Sequence, residues 1–176
     1  MTGPTDHPGA GVERGATCTM KTEFEFVADT EAATDLLGQR LAAALPPAAV
    51  VALSGTLGAG KTRLVQAVAT ALGVAADVVT SPTFVLCQQY DGTRRIYHLD
   101  TYRLKDADEF LELGVEEYFD ADALTFIEWA ERVEDCLPAE RLSITIHIED
   151  DDRRRFVVQS HGSQYHSTIA RLAAAE

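Results

Sequence analysis

The sequence predicts an α/β fold: a central mixed sheet flanked by helices, with antiparallel hairpin additions. Three observations carry this expectation. A short apolar run, Val50 to Leu53, leads through a glycine-rich stretch into a segment with helical spacing. A second apolar run, Leu124 to Ile127, ends on an acid. Two pairs of strand-like segments are joined by polar turns, the mark of hairpins. The order is not a pure βαβ array, so parallel and antiparallel strands are expected to share the sheet.

Taken in order, residues 1 to 20 are rich in Gly, Pro and Thr and poor in large apolar side chains. They read as a disordered tail, with order beginning near Met20. Glu23 to Val27 forms a strand. Asp29-Thr30 caps a helix from Glu31 to about Leu45, with Ala33, Leu36, Leu37, Leu41 and Ala44 on one face. Pro46-Pro47 ends it, and Val50 to Leu53 is a buried strand. After the glycines, Leu64, Val65, Val68, Ala69 and Leu72 line one side of a helix closed by Gly73. Ser81 to Tyr90 and Arg94 to Leu99 read as strands joined by Asp91-Gly92-Thr93. Asp106 to Glu109 reads as a capping box for a short helix ending at Gly114. Leu124 to Ile127 is a strand, followed by a helix from about Trp129 to Cys136. Leu142 to Ile148 and Phe156 to Gln159 form a last hairpin, and Thr168 to Ala175 a short terminal helix. The domain is thus set at residues 21–162, with a C-terminal extension over 163–176.

The 176 residues suit one such domain, which at this length buries roughly 70% of its unfolded surface. Apolar residues make up 46% and charged residues 24%, so neither disorder nor a fibre is indicated. A net charge of −13 opposes direct binding to nucleic acid and favours a basic partner. Cys18, Cys87 and Cys136 have no metal-ligand spacing and cannot all pair with one another, which fits a reducing compartment. No apolar signal segment begins the chain, and the stretch Leu41 to Leu53 is too short and too proline-broken to span a membrane. The expectation is a cytoplasmic protein.

The chemistry centres on Gly55-Thr56-Leu57-Gly58-Ala59-Gly60-Lys61-Thr62, which matches G-x-x-x-x-G-K-[ST]. Its glycines permit backbone angles that let N–H groups approach phosphate oxygens. Lys61 supplies a charge for the β- and γ-phosphates, and the Thr62 hydroxyl a ligand for Mg²⁺. The helix that follows aims its positive end at the same anion. By chance the pattern arises in fewer than about one in a hundred chains of this length. The flanking strand and helix strengthen it, so a P-loop NTPase domain binding ATP and Mg²⁺ is expected.

Such a loop needs an acid on the metal side, at the end of a neighbouring strand. Asp100, closing Ile96 to Leu99, and Glu128, closing Leu124 to Ile127, both qualify. Either can hold the metal or orient water. Ser81-Pro82-Thr83 is a candidate switch, in which the Thr83 hydroxyl senses the γ-phosphate or metal. Trp129, the only tryptophan, reads as core packing, and His98 and His147 as structural histidines. Arg153 to Arg155 read as a solvated turn balancing Asp150 to Asp152. Arg94, Arg95 and Arg103 are expected to flank the nucleotide side.

Taken together, Gly55 to Thr62, Ser81 to Phe84, His98 to Leu104, Glu112 to Gly114 and Ile127-Glu128-Trp129 resemble the TsaE family. This is the small ATPase of bacterial tRNA threonylcarbamoyladenosine synthesis, and the resemblance spans about residues 24 to 149. The P-loop is generic. The Tyr-Arg-Leu stretch after Asp100 and the Ile-Glu-Trp stretch are more specific. The resemblance implies ATP contacts from Glu31, Gly55, Gly58, Ala59, Gly60, Lys61, Thr62, Arg63 and Thr83. It implies Mg²⁺ on Thr62, Glu128 and Asp100, with Lys61, Asp100 and Glu128 as the catalytic set. Glu31 would lie near base or ribose, Asp100 would be Walker-B-like, and Trp129 a conformational neighbour of Glu128. The chain departs from the family at Thr56, usually Asp, and at Arg63, usually Thr. Neither change removes a phosphate ligand, but Thr56 bears on the hydrolysis rate.

The implied activity is a Mg²⁺-dependent ATPase, weak alone and stimulated by partners. Those partners are a TsaD-like threonylcarbamoyl transferase subunit and its TsaB-like paralogue, with tRNA met only through the complex. Two alternatives stand beside it: a small-molecule P-loop kinase, for which no arginine-bearing lid is evident, and a non-hydrolysing nucleotide-gated adaptor.

Overall fold

The computed structural model describes residues 22–175. The expected disordered tail, residues 1 to 20, lies outside the described residues, as does Cys18.

The strands are β1 (Glu23–Ala28), β2 (Ala49–Ser54), β3 (Cys87–Asp91), β4 (Arg95–Asp100), β5 (Leu124–Glu128), β6 (Arg141–Ile148) and β7 (Arg154–His161). The α-helices are α1 (Glu31–Ala44), α2 (Lys61–Ala71), α3 (Ala107–Glu112), α4 (Val115–Phe119) and α5 (His166–Ala173). All seven strands form one sheet in the order β1-β7-β6-β2-β5-β4-β3. The inner strands β6, β2, β5 and β4 run parallel, while β7, β1 and β3 are antiparallel additions at the two sides. This is the expected mixed α/β sheet with hairpins.

At the centre of the sheet β2 and β5 are mainly apolar and buried along their length because they are covered on both faces, whereas β6 alternates buried and half-buried residues. One face buries Leu53, Phe126, Ile144 and Phe156 against Leu37, Leu41, Leu64, Val68, Ile169 and Leu172 of α1, α2 and α5. The other buries Val50, Ala52, Leu99 and Ile127 against Phe110, Val115 and Val133. Each fully buried aliphatic side chain contributes roughly 1.5–3 kcal/mol. Helix α1 is capped by the Thr30 hydroxyl, which accepts from the Ala33 N–H at 3.2 Å. Its buried face is Thr34, Leu37, Gly38, Leu41 and Ala44. Leu36, expected on that face, is 42% exposed. The face turns toward Gly38 because α2 lies directly on it: a Cβ at Gly38 would stand 2.4 Å from the Ala67 Cβ.

Other expectations fail at particular turns and contacts. Residues 81 to 86 are a turn rather than strand, closed by the Val85 and Leu86 N–H groups donating to the Pro82 carbonyl and by Leu86 at φ 66°. Residues 130 to 136 form two short 3₁₀ turns, Ala130–Arg132 and Glu134–Cys136, rather than one helix. They follow Trp129 at φ 59°, where a right-handed helix cannot be continuous. Asp106 caps α3 by accepting from the Glu109 N–H, but Glu109 returns to the Lys105 N–H rather than to Asp106. Helix α4 was not foreseen. The segment set apart as a C-terminal extension packs into the main core: Tyr165 is 1% exposed, and its hydroxyl accepts from the Val50 N–H at 2.9 Å.

Parallel register puts Leu53 and Asp100 on either side of Glu128 at one end of the sheet, where the glycine-rich loop leaves β2. In open α/β sheets the carboxyl ends of parallel strands are where ligands bind. No helix among the described residues is long and apolar enough to cross a membrane.

Candidate active site

The loop between β2 and α2 depends on its glycines. Gly55, Gly58 and Gly60 have φ of 146°, 78° and 107°, a region that penalises side chains. At Gly55 a Cβ would also meet the Ile146 carbonyl at 2.7 Å. Gly60 stands at the N-cap of α2 and offers no side chain to the first-turn N–H groups. Those donors therefore face an anion-sized need without a side-chain cap.

Lys61 is only 5% exposed. Its Nζ donates to the carbonyls of Gly55 at 2.6 Å and Thr56 at 3.1 Å, and lies 3.6 Å from the centroid of the Trp129 ring. Burial pushes the Lys61 pKa below the usual lysine value, and the nearby Glu128, Glu131 and Asp100 oppose that shift. Trp129 is thus not a core filler, as expected, but a cover over the lysine. Its left-handed backbone is held by Thr101, whose hydroxyl donates to the carbonyls of Glu128 at 3.1 Å and Trp129 at 2.8 Å. Tyr102 packs against the same ring, centroids 4.8 Å apart.

The two acids have different surroundings. Glu128 is 3% exposed, and its Oε1 accepts from the Thr62 hydroxyl at 2.7 Å. The same oxygen meets His98 Nε2 at 2.7 Å. Among the described residues its Oε2 has no hydrogen-bond partner. Asp100, 2% exposed, is engaged at both oxygens. Its Oδ2 accepts from Ser81 Oγ at 3.1 Å and Thr83 Oγ1 at 2.5 Å, and its Oδ1 from the Tyr102 N–H at 2.8 Å. The structure therefore brings Lys61, Thr62, Thr83, Asp100 and Glu128 together, with Thr83 tied to Asp100.

Glu31 and Arg63 stand on the other side of the loop. Arg63 pairs with Asp35 at 2.6 Å and Glu31 at 3.7 Å, bracing α2 to α1. Both line a cavity of about 460 Å³ with Thr34, Gly58, Gly60 and Asp152, the last from the β6–β7 turn. A larger groove of about 830 Å³ between α1 and α2 shares Glu31 and Arg63 with it but is lined by no residue of the glycine-rich loop. The smaller cavity is the one that reaches the loop, at Gly58, Ala59 and Gly60, although Lys61, Thr62, Asp100 and Glu128 do not line it; its size suits a small-molecule ligand.

Arginine placement departs from expectation. Arg94 is far from the loop, at the opposite end of the sheet, where it donates to the carbonyls of Ala42, Leu45, Pro46 and Pro47 and closes the end of α1. Arg95, beside it, pairs with Asp91 at 3.1 Å. Only Arg103 is on the expected side, 4.0 Å over the exposed ring of Phe84. Arg153 and Arg155 pair with Glu149, Asp29 and Glu25 rather than with Asp150 to Asp152. His98, which from sequence reads as a structural histidine, touches Glu128. The available signal was its spacing, two residues before Asp100 and so on the same face of a strand.

The chain is similar to known proteins over most of its length. The family model for threonylcarbamoyl adenosine biosynthesis protein TsaE matches residues 28–156. The Bacillus subtilis tRNA threonylcarbamoyladenosine biosynthesis protein TsaE is 38% identical over 141 residues, covering 80% of this chain and 87% of that protein. The Treponema pallidum protein of the same name is 38% identical over 114 residues, 65% of this chain and 84% of its own. Among solved structures, the crystal structure of Bacillus subtilis YdiB superposes with a TM-score of 0.73 at 31% identity. That match covers 87% of this chain and 95% of the other.

Proposed function

The chain belongs to the TsaE family, and from that premise we propose that it is the ATP-binding and ATP-hydrolysing subunit needed for threonylcarbamoyladenosine modification of tRNA. It acts on a transferase complex, a TsaD-like subunit with its TsaB-like paralogue, and not on tRNA directly. The fold is read as a P-loop NTPase domain. One observation carries the ATPase reading: a nearly buried Lys61 at the start of α2, with the adjacent Thr62 hydroxyl 2.7 Å from a buried strand-end carboxylate. Those are the three groups that phosphoryl transfer requires of such a loop.

The residues fit Mg·ATP. The uncapped first turn of α2 and the glycine backbone would receive the β- and γ-phosphates. Thr62 and Glu128 would hold Mg²⁺, a hard cation that takes its remaining ligands from water and phosphate. When bound, the metal supplies charge neutralisation at the transferring group. Base and ribose would take the cavity beside Glu31, with Arg63 on its wall. Lys61 would exchange its two carbonyl bonds for phosphate oxygens and stabilise charge that grows in the transition state. Asp100 would hold Thr83, so that the segment from Ser81 reports on the γ-phosphate. Thr56 offers no carboxylate at the position where the family has Asp, so water is left to Glu128 and Asp100.

The test is phosphate release from ATP, with and without the organism's transferase and paralogue subunits, using Lys61→Ala as control. Slow release alone that rises with the partners, and vanishes in Lys61→Ala, is the expected result. Phosphate transfer to a small acceptor without partner stimulation would replace this function with a kinase. Tight ATP binding with no release in any mixture would leave a nucleotide-gated adaptor.

A further inference from the structure

We propose that His98 is a positioning residue for the magnesium-side acid, an inference that rests on the function proposed above. Its Nε2 is 2.7 Å from Glu128 Oε1, and its Nδ1 has no hydrogen-bond partner among the described residues. A buried N–H needs an acceptor and a carboxylate needs a donor, and Nε2 is the ring nitrogen with an acceptor in reach, so the proton that Glu128 receives belongs there. His98 thus donates to Glu128.

Packing gives no separate reason for a histidine here. The side chain is 0% exposed, and its register partner on β5 is Phe126. The Tyr90 ring lies 6.2 Å away. An apolar side chain would fill this space without leaving a ring nitrogen unpartnered, which carries a desolvation cost. The compensating bond goes to Glu128. His98 is on the face of β4 shared with Asp100, two register positions before the Asp100–Glu128 pair. It therefore reaches the carboxylate from the sheet side. Thr62, the other donor to Oε1, stands on α2, beside the phosphate loop. With Oε1 taken by His98 and Thr62, Oε2 is the oxygen left for metal or water. Donors behind a metal-side carboxylate fix its orientation and raise the effective affinity of the site.

The experiment compares His98→Leu, His98→Asn and His98→Gln in the full chain. Gln carries its amide N–H about as far from the backbone as Nε2, whereas Asn falls short and Leu has no donor. Mn²⁺ affinity is measured by electron paramagnetic resonance with a non-hydrolysable ATP analogue bound, alongside analogue affinity without metal, ATPase turnover and thermal melting. Leu and Asn are expected to weaken Mn²⁺ binding and lower turnover by about 10–100-fold, with metal-free analogue affinity within about threefold of the parent. Gln is expected to restore both. Parent-like Mn²⁺ affinity in Leu or Asn would overturn the proposal, as would a Gln variant as impaired as Leu. If Leu does not fold, the Asn and Gln pair decides. A parent protein that binds Mn²⁺ and analogue but never hydrolyses ATP with its partners would sink the ATPase function and leave the His98 result standing on its own.

Discussion

At Glu128 the sheet ends on a carboxylate with one oxygen shared by Thr62 and His98 and the other without a hydrogen-bond partner among the described residues. Asp100 has both oxygens engaged, by Ser81, Thr83 and the Tyr102 N–H. The two acids therefore invite different losses. Glu128→Gln keeps the shape of the side chain and removes its charge. It should lower phosphate release by about 100-fold or more while changing ATP affinity only a few-fold, because the charge matters most where the transferring group develops charge. Phosphate-release kinetics and calorimetry check the two arms, and equal losses in both would place Glu128 outside the metal site. A second consequence concerns Lys61, whose ammonium lies 3.6 Å from the ring of the chain's single tryptophan. If the phosphates draw Lys61 off that ring, Trp129 emission must change on adding Mg·ATP, and the change must disappear in Lys61→Ala. A Trp129 signal that is flat in the parent, despite calorimetric binding, would mean that the lysine does not leave the ring.

Elements show which parts of the fold were legible. Strands β2 and β5, the helix after the glycine-rich loop and the last hairpin follow from apolar periodicity alone, because burial on known faces is what periodicity records. Residues 81 to 86 look like strand by composition, yet Ser81 and Thr83 spend their hydroxyls on Asp100 and the chain turns. Residues 130 to 136 have helical spacing, yet Trp129 enters them left-handed because Thr101 fixes its carbonyl. Both misreadings come from side-chain to backbone or side-chain to acid bonds across strands, which no local pattern encodes. The same reason hid His98, whose partner is 30 residues away. The motif residues of the site were legible because their spacing is local; the arginines were not, because Arg94 acts on a helix end some 50 residues earlier in the chain. Packing between α1 and α2 gives a direct test. Gly38→Ala would place a Cβ 2.4 Å from the Ala67 Cβ and 2.7 Å from its carbonyl carbon. It should cost about 1–3 kcal/mol by overpacking, read as a lower urea midpoint. An unchanged midpoint would show that the two helices have slack. Tyr165→Phe should cost about 1–3 kcal/mol in the same assay, because the buried Val50 N–H loses its acceptor.

Over the whole molecule, charge governs what this chain meets. Its net charge is −13. Many of its cations are already committed: Arg63 to Asp35, Arg155 to Glu149, Arg153 to Asp29 and Glu149, and Arg94 to carbonyl groups. Lys61 is buried and belongs to the loop. Nucleic-acid affinity arises chiefly from clustered free cations that displace counterions from phosphates, and little on this surface supplies them. The chain alone should therefore bind tRNA with a dissociation constant weaker than about 10⁻⁴ M at physiological salt, at or beyond the weak end of non-specific binding. A basic transferase surface would instead be attracted to it. Association with that partner should speed up as salt is lowered, because steering between opposite charges is screened within a Debye length of about 8 Å at 0.15 M. Stopped-flow association at several ionic strengths, paired with a gel-shift titration of tRNA against this chain alone, checks both halves. Micromolar tRNA binding by the isolated chain would mean that a cationic track exists despite the pairing described, and that the chain itself grips the RNA. Association with the transferase that ignores salt would mean that shape and apolar contact, with Phe84 82% exposed and Leu57 78% exposed near the loop, outweigh charge at that surface.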